Sequence, residues 1–287
     1  MHHELSRRTG RGVVAALLVV GTALVVGACG GGPTRAGSST SVGPTSTSSA
    51  AGSSTSVVAA PVTVRVLAAS SLADVLPDLV AGFRKGRPDV AVETSTGASS
   101  ALVEQVKAGV AADVVLTADR ATADAANLAG AVAPEPFATN SMVIAVPAGN
   151  PGNVLGLTDL EHPDLLVGLC APQVPCGKYA RQLLKDAGVT ASVDTEEPDA
   201  RSLMAKVASG DLDAGLVYRT DVLAAGPTAL EVNVPDAAKV PVTYFAVERT
   251  NGKGAAAETR AATGSEFVDY LRGPGRKVLR AAGFGVP

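Results

Sequence analysis

Serines and small residues recur at the expected starts of helices in both halves of this 287-residue chain. The segments are Ala69-Ser70-Ser71-Leu72-Ala73-Asp74, Gly97-Ala98-Ser99-Ser100, Pro175-Cys176-Gly177-Lys178-Tyr179 and Pro198-Asp199-Ala200-Arg201. A helix start offers free backbone N–H groups and the positive end of the helix dipole. Several such starts aimed at one point hold an anion without any cationic side chain. The pattern points to capture of a small oxyanion rather than to chemistry performed on it.

Other site chemistries find less in the sequence. A serine hydrolase needs a base, but His162 is the only histidine beyond the first three residues and sits beside Pro163. There is no Gly-x-Ser-x-Gly elbow and no Ser-x-x-Lys at Ser71 or Ser99. Cys170 and Cys176 flank Pro172 and Pro175. In an oxidising compartment they form a disulfide that clamps a turn; two free thiols are the other reading. Metal ligation would want further Cys or His, so no metal site is expected. No basic, aromatic-interleaved stretch is present, which argues against nucleic acid as a partner.

The elements that would position these residues read as α/β units. Val62 to Ala69 alternates and then becomes continuously apolar, as a buried strand does. A helix is expected next, with Leu72, Val75, Leu76, Leu79, Val80 and Phe83 on one face. Ser71 and Asp74 would form its capping box, and Pro77 would lie inside it. Strands at 90–94 and 113–117 bracket a helix that starts at the Ser99 turn and stops at Gly109. Strand, helix, strand, helix, strand is a parallel arrangement, whose ligands bind beyond the carboxyl ends of the strands. Ser71 and Ser99 both fall there. A second unit runs through the strand 166–170, a helix from Pro175 to Gly188, a helix from Asp199 to Gly210 and the strand Ala214–Tyr218. Crossings between the two units are expected near 140–146 and along 240–247. One or two terminal helices span 266–282. Lys178 and Arg201 read as solvated.

The ends are as informative. Arg7, Arg8 and Arg11 precede an apolar run from Val13 to Val26, followed by Gly27, Ala28 and Cys29. A basic region, a short apolar stretch and small residues form an export signal over 1–28. The run is short for a membrane span. Residues 30–60 are almost entirely Gly, Ser, Thr, Ala, Pro and Val, too polar and small to offset their chain entropy. They read as a tether that begins at Cys29. The leader carries three arginines and one glutamate, so its removal makes the chain more acidic than its net charge of −3.

In this order the residues resemble the periplasmic molybdate-binding proteins of ABC importers, from about Val62 to Phe284. Ala68-Ala69-Ser70-Ser71-Leu72 and Gly97-Ala98-Ser99-Ser100-Ala101-Leu102 are similar to the family's two serine turns. Val174-Pro175-Cys176-Gly177-Lys178-Tyr179-Ala180 is similar to its V-P-A-G-x-Y-A segment, and Gly215 to Asp221 to its G-I-V-Y-x-S-D segment. Val26-Gly27-Ala28-Cys29 resembles a lipobox, which would make Cys29 the lipidated first residue of the mature protein.

The resemblance implies a two-lobe, type II-like binding-protein fold with a hinge and an interlobe cleft. The first lobe would comprise 61–142 with 246–287, and the second 143–245. Side-chain donors would be Ser71, Ser99 and Tyr218, with backbone donors at Cys176 and Ala200. Ser70 falls one residue early. The implied protein is a monomer without cofactor, lipid-anchored outside the membrane. It would deliver molybdate, and tungstate, to an ABC permease. A receptor for sulfate or another tetrahedral oxyanion is the nearest alternative, and a secreted serine hydrolase the distant one.

Overall fold

The computed structural model describes residues 61–128 and 132–287. The expected leader, Cys29 and the tether lie outside the described residues.

The chain folds as two five-stranded mixed sheets, each flanked by helices. The first half runs β1 (Val62–Ala69), α1 (Leu76–Gly86), β2 (Val90–Gly97), α2 (Ser99–Lys107), β3 (Val114–Thr117), α3 (Arg120–Ala126) and β4 (Glu135–Asn140). The second runs β5 (Met142–Pro147), β6 (Val167–Cys170), α4 (Pro175–Ala187), β7 (Val193–Glu197), α5 (Ala200–Ser209), β8 (Ala214–Tyr218), α6 (Arg219–Ala225) and β9 (Ala229–Val232). The chain then returns through β10 (Val242–Glu248), α7 (Ala255–Arg272) and α8 (Arg276–Ala281). The strand orders are β2-β1-β3-β10-β4 and β7-β6-β8-β5-β9. In each sheet the first three strands are parallel, and the next strand pairs antiparallel to the third. This is the α/β, two-lobe architecture implied by the sequence.

The crossings lie closer to strand ends than expected. Met142 already pairs with Tyr218 in the second sheet, and Val242 to Phe245 pair in the first. The expected boundaries after 142 and after 245 therefore fall inside strands, and the chain changes sheets at Ser141 and just ahead of Val242.

The structure also corrects the start of α1. A 3-10 turn covers Ser70–Leu72, and the helix proper begins only at Leu76. Pro77 sits in the first helical turn, where its missing N–H costs nothing. Pro77 therefore opens the helix rather than kinking it. Ser71 is not an N-cap, and Asp74 makes no capping box with it. The terminal helix α7 begins at Ala255, eleven residues before the expected 266.

Helix ends in the second lobe follow the sequence closely. Gly188 and Gly210 close α4 and α5 in the left-handed region, at φ 69° and 81°. The apolar faces of these helices, including Leu183, Leu203 and Val207, are fully buried against the sheet. Cys170 and Cys176 are disulfide-bonded across a Cα–Cα distance of 5.8 Å, which removes the free-thiol reading. The bridge ties the end of β6 to the first turn of α4. Among the described residues, no helix is long and apolar enough to cross a membrane.

Candidate functional site

Five residues expected around a ligand come together. Ser71, Ser99, Cys176, Ala200 and Tyr218 line one cavity between the carboxyl edges of the two sheets. The cavity is small. Ser70 also lines it, together with Ala69, Ala98 and Ala118. No Lys or Arg contributes to the wall.

Each donor is delivered by the end of a regular element. Ser71 follows β1 in the 3-10 turn, and Ser99 is the first residue of α2 after β2. Cys176 is the second residue of α4 and Ala200 the first of α5, so their N–H groups have no carbonyl within their own helix to meet. Gly177 lets α4 sit this close to the loop before it, because a Cβ there would run into the Ala171 carbonyl. Tyr218 closes β8.

The hydroxyls are constrained. Ser99 Oγ accepts a hydrogen bond from the Ala118 N–H at 3.1 Å, which leaves its own hydrogen to donate elsewhere. Ser71 Oγ lies 2.8 Å from the Tyr244 hydroxyl. The Tyr218 hydroxyl is buried and, among the described residues, has no hydrogen-bond partner. Burial holds the Tyr218 pKa well above its usual value, with Tyr244 nearby adding to the shift, so the group stays a neutral donor. A buried polar atom without a partner is costly, and a ligand in the cavity would satisfy it.

Carboxylates near the site are occupied. Asp199 reaches the wall, but its Oδ1 accepts from the Ser202 N–H at 2.8 Å as the cap of α5. Asp74 instead pairs with Arg201 across the cleft at 2.9 Å. Lys178 of α4 pairs with Asp119, which follows β3, at 3.2 Å. The two cations expected to be solvated thus bridge the lobes, and neither enters the cavity. Asp221 Oδ2 accepts from the Tyr218 N–H at 3.1 Å. Burial, reinforced by Asp74 and Asp199, pushes its carboxyl up to about 8. Among the described residues, no cluster of His, Cys, Asp and Glu could hold a metal ion.

Tyr244 and Asn140 were not anticipated from the sequence. Both lie behind Ser71, and Tyr244 meets Ser71 and Asn140 across more than 100 residues of sequence, so no local motif marks them.

A family model for bacterial extracellular solute-binding proteins matches residues 64–285. The chain belongs to this family of bacterial extracellular solute-binding proteins. Solute-binding proteins of this kind are not enzymes, so the hydrolase alternative falls. The chain is 36% identical over 226 residues to the molybdate-binding protein ModA of Mycobacterium tuberculosis, covering 77% of this chain and 84% of the relative. It is 27% identical over 252 residues to the protein of the same name from Escherichia coli, covering 78% and 89%. The periplasmic molybdate-binding protein of Azotobacter vinelandii has the same fold, with a TM-score of 0.66 at 20% identity, covering 78% of this chain and 99% of that one. The resemblance read from the four motifs is upheld by these relatives, and the solute-binding fold places the cavity where the two lobes meet.

Proposed function

We propose that this protein captures molybdate, and tungstate, in the cavity between its lobes and delivers the oxyanion to an ABC permease. The observation that carries this reading is the buried, unpartnered Tyr218 hydroxyl in a cavity also lined by Ser71 and Ser99. The N–H groups of Cys176 and Ala200 complete the shell. A tetrahedral dianion loses its hydration on entry and needs a full set of donors in return. Hydrogen bonds to a charged group contribute about 1.5–3 kcal/mol each, so a handful offsets much of that loss. A shell of neutral donors favours an anion that carries no proton of its own. The names of the relatives, molybdate-binding proteins in both cases, support the choice of metal oxyanion.

The cellular setting belongs to the same proposal. Residues 1–28 direct export, Cys29 carries the lipid, and the 30–60 segment tethers a monomeric binding domain to the outer face of the membrane. Lipid labelling of the native chain and of Cys29→Ala tests the anchor: label and membrane association should vanish together in the variant.

Ligand identity is tested by thermal melting with molybdate, tungstate, sulfate and phosphate, followed by calorimetric titration. A solute that binds only the folded state raises the melting temperature. Stabilisation by molybdate and tungstate is expected. A response to sulfate alone would keep the receptor and change its cargo, and silence across the panel would overturn the reading.

A further inference from the structure

We propose that Asn140 and Tyr244 fix the direction in which the Ser71 hydroxyl points its proton, and so act as positioning residues for anion recognition. The inference rests on the oxyanion-receptor reading above and concerns residues that do not line the cavity themselves.

The chain of bonds has only one self-consistent polarity. It starts at a backbone group that can only donate: the Ser141 N–H gives a hydrogen bond to Asn140 Oδ1 at 3.0 Å. That fixes the orientation of the Asn140 amide. Asn140 Nδ2 then has two hydrogens to place. One goes to Thr220 Oγ1 at 2.7 Å and the other to the Tyr244 oxygen at 3.3 Å. Tyr244 is fully buried. Its oxygen accepts from Asn140, and its neighbour on the other side is Ser71 Oγ at 2.8 Å. If Ser71 donated to Tyr244, the phenol hydrogen would be buried with no acceptor, which carries a desolvation penalty. Tyr244 therefore donates and Ser71 Oγ accepts. The Ser71 hydrogen is left free, on a residue that lines the cavity.

The consequence is electrostatic. Unconstrained, a serine hydroxyl rotates and offers either a hydrogen or a lone pair. Held as an acceptor from behind, Ser71 presents a hydrogen in front. Ser99 is held in the same way by the Ala118 N–H. Both serines thus become donors before the anion arrives, and binding spends little on reorienting them. Burial holds the Tyr244 hydroxyl well above its usual pKa, so it keeps the proton that the relay requires.

The relay also joins the lobes. Asn140 ends β4 in the first sheet, whereas Thr220 lies in α6, between β8 and β9 of the second. Ser71 is therefore oriented by a network anchored on both sides of the crossing at Ser141.

A double-mutant cycle read by calorimetric titration with sodium molybdate tests the proposal. Four full-length chains are compared: unmodified, Ser71→Ala, Tyr244→Phe and the double variant. Tyr244→Phe alone should weaken molybdate at least threefold. In the Ser71→Ala background the same change should weaken it by less than about 1.5-fold, because the relay has nothing left to orient. A role in packing alone would weaken both backgrounds equally, and that additive result would overturn the relay while leaving the receptor intact. An unchanged affinity in Tyr244→Phe would do the same. Failure of the unmodified chain to bind any oxyanion would instead remove the receptor reading and the relay with it. Should Tyr244→Phe not fold, Asn140→Ala enters the same cycle with the same two outcomes.

Discussion

Lys178 Nζ lies 3.2 Å from Asp119 Oδ2, joining a helix of the second lobe to the loop that follows β3 in the first. Asp119 is buried, and it also caps α3 through the Thr122 N–H at 2.6 Å. With the Arg201–Asp74 pair, it ties the two lobes together beside the cavity without placing a cationic side chain in its wall. Both cations are partly exposed, so each pair contributes modestly and is weakened by salt. Lys178→Gln should favour the open form and weaken molybdate by about fivefold, equivalent to about 1 kcal/mol. Stopped-flow release should show most of the change as faster dissociation. An unchanged release rate would mean that the pair does not contribute to closure.

Tyr218 and Ser99 should behave oppositely in the empty protein although both are proposed to donate to the ligand. Tyr218→Phe removes a buried hydroxyl that has no partner, so the unliganded chain should melt at the same temperature or higher. Molybdate affinity should nevertheless fall at least tenfold. Ser99→Ala removes the acceptor of the Ala118 N–H and should destabilise the unliganded chain by about 1–3 kcal/mol, besides weakening binding. Melting curves with and without molybdate separate the two behaviours. A destabilised, fully binding Tyr218→Phe would contradict the assigned role.

Much of this site was legible because its donors sit at the ends of elements with strong local signals. Gly188 and Gly210 marked helix ends, and the apolar runs of β1, β5 and β8 marked central strands. The strands absent from the sequence reading are β4, β7 and β9, all at sheet edges, and the short helices α3 and α6 are absent with them. Edge strands bury less and carry polar residues, as in Val193-Asp194-Thr195-Glu196-Glu197, so the apolar pattern fades. Ser71 lies just beyond β1 and lines the cavity, but its hydroxyl does not cap a helix as the sequence suggests. Its real partner, Tyr244, is 173 residues away, and only the folded sheet brings them together.

The disulfide should stabilise more than its own turn. Closing so short a loop is worth about 2 kcal/mol in the chain-entropy model. Cys176 also lines the cavity with the proposed backbone donor, so reduction should loosen the first turn of α4 and disturb the site. Mass analysis should show one bridge in the native protein. Reduced protein should melt lower and bind molybdate more weakly. Equal affinity in both forms would confine the bridge to stability.

Asp221 gives the fold a pH dependence of unusual sign. Burial raises its carboxyl from an ordinary 3.8 to about 8 in the folded chain. The folded state therefore holds a proton that the unfolded state has released. The stabilisation is complete below about pH 4 and is lost as pH rises towards 8. Asp221→Asn should flatten this slope in urea melts between pH 5 and 9. A slope identical in both chains would place the titration elsewhere.

One oxyanion is expected to sit among Ser71, Ser99 and Tyr218. Crystals grown with molybdate and measured at the molybdenum absorption edge test it directly. One anomalous peak is expected in the cavity, with oxygens within hydrogen-bonding distance of those three hydroxyls and of the Cys176 and Ala200 N–H groups. A peak elsewhere on the protein, or an empty cavity at saturating molybdate, would contradict it.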